Sequence, residues 1–108
     1  MENEELEYQV IIDPAASDRM YEHFEFLARV SVTAAEKLLD TLIEDINSLG
    51  FLPHRNPVYD RPYLERGKYR YLISGERYRI VYQVVNNTVY VDDIQDCRQS
   101  DINAILFP

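Results

Sequence analysis

The chain has 108 residues, a hydrophobic fraction of 46% and a formal net charge of −8 at pH 7. This length suits one compact core, so we expect a single domain over residues 1–108, with residues 1–6 flexible. No apolar run approaches the roughly 18 residues of a membrane span, and the acidic start is unlike a signal peptide. One cysteine, Cys97, excludes an internal disulfide. We therefore expect a cytoplasmic protein with no membrane partner, metal or other cofactor.

The charge is distributed unevenly along the chain. Residues 1–53 carry twelve acidic and three basic side chains, whereas residues 54–79 carry three acidic and seven basic ones. The basic segment also contains five of the nine tyrosines, and Tyr82 follows shortly after it. Cations interleaved with aromatic rings could form a binding surface for a polyanion such as a nucleic acid. The same composition would also result if the tyrosines were part of the core and the arginines formed a solvated face.

The N-terminal part predicts a strand and a first helix. Residues 8–12 form a short run rich in aromatic and β-branched side chains. Asp13 followed by Pro14 marks a helix start, because aspartate caps free amide groups and proline is tolerated at the first helical position. Apolar residues at three- and four-residue spacing predict an amphipathic helix from Pro14 to Val30.

A second helix is predicted from Thr33 to Leu49. Thr33 and Glu36 form a capping-box pattern, and Gly50 stands where helices commonly end. About two residues connect this helix to the first. We therefore expect an antiparallel helical hairpin whose apolar stripes pack together and on a sheet.

Three predicted strands follow an irregular segment that contains three prolines. The strands span residues 69–74, 77–85 and 88–95, and the sequences Gly75-Glu76 and Asn86-Asn87 between them are typical of tight turns. They predict an antiparallel meander, with the first strand added at an edge beside a later strand. The predicted fold class is α+β, in the order β-α-α-β-β-β, with an antiparallel sheet and the helical hairpin packed on one face.

Alternation along the central strand distinguishes a buried face from an open one. The face expected beneath the helices carries Tyr78, Ile80, Tyr82 and Val84. The opposite face carries Arg77, Arg79, Val81 and Gln83. If the Gly75-Glu76 turn has two residues, Arg70 becomes a diagonal neighbour of Arg79 on the open face. The same alternation along the last strand adds Tyr90, Asp92, Ile94 and, if the strand stays extended, Arg98.

This arrangement resembles the RelE/ParE superfamily of bacterial toxins from type II toxin–antitoxin modules. The resemblance rests on the strand from Tyr78 to Val84, a polar two-residue turn, a valine-rich strand and the arginine Arg98 near its end. It covers about residues 7–106. It implies a small toxin that a cognate antitoxin holds inactive, through an acidic segment expected to dock over the basic residues 54–79.

In the RelE-like branch, the toxin enters the ribosome and cleaves mRNA without a metal, by attack of the 2′-hydroxyl on the adjacent phosphate. The resemblance implies Arg79, Arg98 and Arg70 as catalytic residues, with Arg70 standing where a lysine is usual. Guanidinium groups suit this role because they offer phosphate a charged bidentate donor. The side chains expected to contact the substrate are Lys68, Arg77, Tyr90, His54 and Arg55.

The sequence departs from the RelE-like pattern at two catalytic positions. Leu72 stands where a second lysine is usual, and Asn103-Ala104 occupy the region of a C-terminal tyrosine. His54 or Glu65 would then have to supply a base. Acidic residues at positions 92, 93 and 96 would repel RNA phosphates.

Three functions therefore stay open. The ParE-like branch shares the fold, lacks the same catalytic groups as this chain and inhibits DNA gyrase without chemistry of its own. A third alternative is a homologue that only binds its antitoxin. We favour the ribosome-dependent mRNA endoribonuclease, with the gyrase inhibitor as the alternative, and leave open whether the chain is an enzyme.

Overall fold

The structure, a computed structural model, describes residues 7–97, which form a four-stranded sheet with two helices on one face. The elements are β1 (Gln9–Ile12), α1 (Pro14–Ala28), α2 (Val32–Ser48), β2 (Tyr69–Ser74), β3 (Tyr78–Val85) and β4 (Thr88–Asp96). A 3-10 helix, Pro53–Arg55, lies between α2 and β2. The predicted α+β class and element order are confirmed. The predictions for residues 1–6 and for Arg98 lie outside the described residues.

The strands lie side by side in the order β1-β4-β3-β2. The β2–β3 and β3–β4 pairs are antiparallel, as predicted, and β1 lies at an edge beside β4. However, β1 runs parallel to β4, so the sheet is mixed rather than wholly antiparallel. A parallel position is accessible because the chain passes through both helices before it returns to the sheet. Neither described helix is long and apolar enough to cross a membrane.

Each helix begins at a polar cap. Asp13 caps α1, as predicted, and accepts a hydrogen bond of 3.0 Å from a first-turn amide. Helix α2 begins at Val32, and its cap is Ser31, whose hydroxyl accepts a hydrogen bond of 3.1 Å from the amide of Ala34. Ser31 has extended backbone, which allows a cap side chain to turn back onto the helix. The capping box predicted at Thr33 is therefore wrong.

We expect Ser31→Ala to lower the free energy of unfolding by about 1 kcal/mol, because it removes this cap. Thr33→Ala, two positions along the same turn, serves as the matched control and should change stability by less than about 0.5 kcal/mol. Chemical denaturation followed by circular dichroism measures both. Equal losses would contradict the assignment of the cap to Ser31.

The core lies between the helices and one face of the sheet. Its side chains are at most 4% exposed. They are Ala16, Met20, Leu42, Ile46, Leu49, Tyr78, Ile80, Tyr82, Val89, Val91 and Ile94. The predicted helix-facing side of β3 is thereby confirmed, and Val84 packs against this core as a partly buried residue. Fully burying one large aliphatic side chain contributes about 1.5–3 kcal/mol, so this cluster dominates the stability of the fold.

A β-bulge reverses the side-chain alternation of β4. The register between β3 and β4 shifts between Val81 and Tyr82, which leaves Asp92 as an extra residue. Ile94 consequently lies opposite Ile80 and is fully buried, whereas simple alternation placed it on the open face. The prediction for Ile94 is wrong because one extra residue moves every later side chain to the other face.

Candidate functional site

The turn between β2 and β3 determines on which face Arg70 lies. Ser74 lies opposite Tyr78, so the three residues 75–77 connect the strands instead of two. This additional residue shifts β2 by one position relative to β3, and a shift of one moves each side chain to the other face. The predicted placement of Arg70 beside Arg79 is therefore wrong.

Arg70 lies opposite Tyr82, on the helix-facing side of the sheet. Its Nη1 donates to the carbonyl of Asn56 at 2.6 Å and to that of His54 at 3.2 Å. The Tyr82 hydroxyl binds the same segment, because it donates to the carbonyl of Pro53 and accepts from the side-chain amide of Asn56. Burial raises the pKa of Tyr82. Arg70 and Tyr82 together hold the loop that follows α2.

Arg79 lies on the opposite, outer face, beside two tyrosine rings. Its Cζ atom is 5.2 Å from the centroid of the Tyr59 ring and 5.5 Å from that of Tyr71, distances typical of cation–π contacts. Its Nη1 donates to Gln95 Oε1 at 3.1 Å, and its Nε is buried without a partner among the described residues. Because the Arg79 side chain is half-buried, its guanidinium group is poorly placed to donate two hydrogen bonds to a phosphate.

Tyr59 covers this part of the outer face and is only 5% exposed. Its ring lies edge-on to Tyr71, with centroids 5.8 Å apart, and its hydroxyl donates to Gln95 Oε1 at 3.2 Å. Its backbone amide donates to the carbonyl of Tyr69 at 2.7 Å, which fixes the loop along β2. The outer face is therefore not the open surface that the sequence predicted. Sequence reasoning missed Tyr59, and its place among the tyrosines of the basic segment was the available signal.

Arg77 precedes β3 and forms an ion pair with Asp96. Its Nη2 lies 2.9 Å from Asp96 Oδ2, and its Nε donates to Oδ1 at 3.4 Å. This hydrogen bond raises the pKa of Arg77. The carbonyl of Arg77 also accepts a hydrogen bond of 2.8 Å from the amide of Cys97. Arg77 thus links the end of β4 to the β2–β3 turn, and its predicted contact with a substrate stays a prediction.

His54 and Arg55 lie in the 3-10 helix after α2. The exposed His54 ring lies edge-on to Tyr8, with centroids 6.2 Å apart. Arg55 donates from Nη1 to the carbonyls of Phe51 and Leu52, which closes its own turn. Among residues 7–97, no group of three or more histidine, cysteine, aspartate or glutamate side chains is placed to hold a metal ion.

Lys68 and Tyr90 are exposed, as their predicted role requires. Lys68 Nζ lies 3.9 Å from a carboxylate oxygen of Glu65. Tyr90 lies opposite Gln83 on the outer face, and Gln83 Nε2 donates to Asp92 Oδ2 at 2.7 Å. Burial raises the pKa of Asp92, and the hydrogen bond from Gln83 opposes this effect. Asp92 is therefore bound by Gln83, while the hydrogen-bond partner of Arg79 is Gln95.

Of the predicted catalytic arginines, the two within residues 7–97 are not brought together. Arg79 packs on the outer face, Arg70 binds backbone carbonyls on the helix-facing side, and Arg98 lies beyond the described residues. The outer face instead presents residues 60–68, a loop with exposed cations that begins next to the buried Tyr59. This arrangement is better suited to binding a partner than to aligning several cations on one phosphate.

A solved structure described as "Chromosomal ParDE TA system from P. aeruginosa" is similar to this chain, with a TM-score of 0.62. The match has 17% sequence identity and covers 82% of this chain and 95% of that one, so it supports the fold alone. A comparison with curated proteins finds no significant match.

A family model described as "ParE toxin of type II toxin-antitoxin system, parDE" matches residues 10–100. This match covers most of the chain, and it agrees with the mixed sheet and helical hairpin described above. The resemblance to the RelE/ParE superfamily is confirmed. The chain belongs to the ParE toxin family of type II toxin–antitoxin systems.

Proposed function

We propose that this chain is a toxin that binds and inhibits DNA gyrase and that it does not cleave mRNA. The observation that carries the proposal is the separation of Arg70 and Arg79 onto opposite faces of the sheet. Metal-independent cleavage requires several cationic donors aimed at one phosphate group. Membership of the ParE family supports the gyrase-inhibiting branch over the RelE-like one.

Exposed apolar side chains support a role in protein binding. Phe26, Val30 and Val32 are 54%, 81% and 58% exposed, and they lie near the connection between α1 and α2. Large exposed apolar side chains close together commonly mark interaction sites. The net charge of −8 also suits a protein target better than ribosomal RNA, because like charges repel.

We also propose a cognate antitoxin as the partner that holds this toxin inactive. Support comes from the family match and from the similar structure, which was solved as part of a ParDE toxin–antitoxin system. The cations of residues 54–79 agree with an acidic binding segment.

Adding the purified chain to gyrase, relaxed plasmid and ATP tests the proposal. We expect loss of supercoiling and accumulation of cleaved DNA, whereas mRNA in a translating cell-free extract should remain intact. Arg79→Met keeps an unbranched stem beside the two tyrosine rings but removes the charge. This variant should still inhibit gyrase, because the proposal assigns no chemistry to Arg79, and thermal unfolding verifies that it is folded.

Two outcomes would contradict this function. Ribosome-dependent mRNA cleavage that Arg79→Met abolishes would restore the nuclease interpretation. Inhibition of neither process, by a folded chain that still binds its antitoxin, would identify a homologue without toxic activity.

A further inference from the structure

The loop from Asp60 to Lys68 carries exposed cations that, among the described residues, form neither an ion pair nor a hydrogen bond with a group outside the loop. Arg61 Nη1 donates within the loop, to the carbonyl of Asp60 at 2.8 Å. Of the seven basic side chains in residues 54–79, four bind groups outside this loop: Arg55, Arg70, Arg77 and Arg79. The other three lie in this loop: Arg61, Arg66 and Lys68. Lys68 Nζ lies 3.9 Å from Oε1 of Glu65. Within residues 7–97, Arg61 and Arg66 form no ion pair.

This loop is held in a defined shape. The Cζ atom of Arg61 lies 4.3 Å from the centroid of the Tyr59 ring, which is itself buried. Asp60 Oδ1 accepts a hydrogen bond of 3.1 Å from the amide of Gly67, which closes the loop. Gly67 has a φ of +78°, a backbone conformation that favours glycine. The backbone that carries these cations is therefore already ordered, which lowers the entropic cost of binding a partner at this loop.

Arg61 and Arg66 line one cleft of about 440 Å³. The other residues that line it are Asp60, Pro62 and Leu64. The one carboxylate there, that of Asp60, accepts the backbone hydrogen bond of Gly67 and keeps its negative charge, so the lining of the cleft is positive because two guanidinium groups outnumber one carboxylate. Tyr63, the next residue along, is 77% exposed. Arginine and tyrosine are the residue types that most often anchor protein interfaces.

We propose that this cleft binds an acidic peptide segment of the antitoxin, with its carboxylates between Arg61 and Arg66 and an apolar side chain against Tyr63. The inference rests on the proposed function and adds to it the site at which the partner docks. Guanidinium groups form strong, directional hydrogen bonds with carboxylates. A cleft of this size accepts a few side chains of an extended segment, which suits a chain that orders on binding.

The test measures binding of the toxin to the protein encoded by the adjacent reading frame, at low and at moderate salt. The double variant Arg61→Gln/Arg66→Gln keeps polar side chains but removes both charges. We expect its affinity to fall about tenfold and its salt dependence to become shallower, because two charge pairs are lost. Arg29→Gln, at an exposed arginine just after α1, is the matched control and should bind like the wild type.

Gyrase inhibition by the antitoxin-free double variant should equal that of the wild type, which separates this inference from the proposed function. Wild-type affinity and salt dependence in the double variant would overturn the inference. So would loss of gyrase inhibition with antitoxin binding intact, which would assign the cleft to the target. A further outcome is that the wild type binds a single-stranded RNA oligonucleotide that the double variant does not bind, while both bind the antitoxin equally well. That result would assign the cleft to nucleic acid. A wild-type toxin that binds no antitoxin would overturn the proposed function itself.

Discussion

Asp96→Asn is expected to lower the free energy of unfolding by about 2–3 kcal/mol, because it leaves Arg77 without its charged partner. Asp96 is 5% exposed, whereas the Arg77 side chain is 23% exposed. Water therefore reaches the remaining guanidinium, and the loss stays below that of a fully buried pair. Urea denaturation at neutral pH measures it.

The pH dependence of this ion pair follows from the raised pKa of Arg77. A cation whose pKa is higher in the folded state stabilises the fold fully at every pH below its ordinary, strongly alkaline pKa, and this stabilisation is lost only as the pH rises through the still higher pKa of the folded state. Titration of Arg77 therefore does not alter the effect of Asp96→Asn at neutral or mildly alkaline pH. An effect that disappeared between these conditions would contradict this assignment.

A double-mutant cycle separates the ion pair from the other contacts of Asp96. Arg77→Met retains most of the stem and removes the charge, so the Arg77→Met/Asp96→Asn variant should lose less stability than the sum of the single losses. We expect a coupling energy of about 1–2 kcal/mol. Strictly additive losses would show that the two side chains do not stabilise each other.

Tyr59→Ala is expected to lower the free energy of unfolding by about 3 kcal/mol, because it removes a buried aromatic ring and leaves a cavity. The ring contacts Arg79, Tyr71 and Arg61, and it covers part of the outer face. Denaturation measures the loss, and limited proteolysis within residues 60–68 should become faster because the support of this loop is gone.

Tyr59→Phe is the matched control, since it removes only the hydrogen bond to Gln95 and keeps the ring. Its expected cost is about 1 kcal/mol, and proteolysis of the loop should stay slow. If the alanine variant were as stable as the phenylalanine variant, Tyr59 would not anchor the loop.

Local patterns in the sequence were enough to predict the order of the elements and the face of the central strand that packs on the helices. Tyr78, Ile80 and Tyr82 share that face because side chains alternate in any strand, whatever its neighbours are. Asp13 caps α1 because its hydrogen bond is made within the first helical turn. The resemblance to the RelE/ParE superfamily was also carried by such contiguous residues.

The candidate site was harder to predict, because its geometry depends on the exact pairing of residues that are distant in sequence. A turn of three residues instead of two moved Arg70 away from Arg79, and the bulge at Asp92 turned Ile94 into the core. Each change involves one residue, yet each moves the side chains on one side of it to the other face of the sheet. The docking of Tyr59 on the outer face likewise depends on contacts with Tyr71, Arg79 and Gln95, which are distant from it in sequence.

The sequence by itself therefore determined the fold class, the cap of α1, the strands set by neighbouring residues, and the charge imbalance between the first half and residues 54–79. Only the tertiary structure decided which of those cations bind groups elsewhere in the fold and which stay exposed in the loop of residues 60–68. The physical reason is that secondary structure follows from short-range backbone geometry, whereas strand register and loop docking follow from contacts across the sheet. Arg70 and Arg79 have similar chemistry and lie nine positions apart, yet these contacts place them on opposite faces.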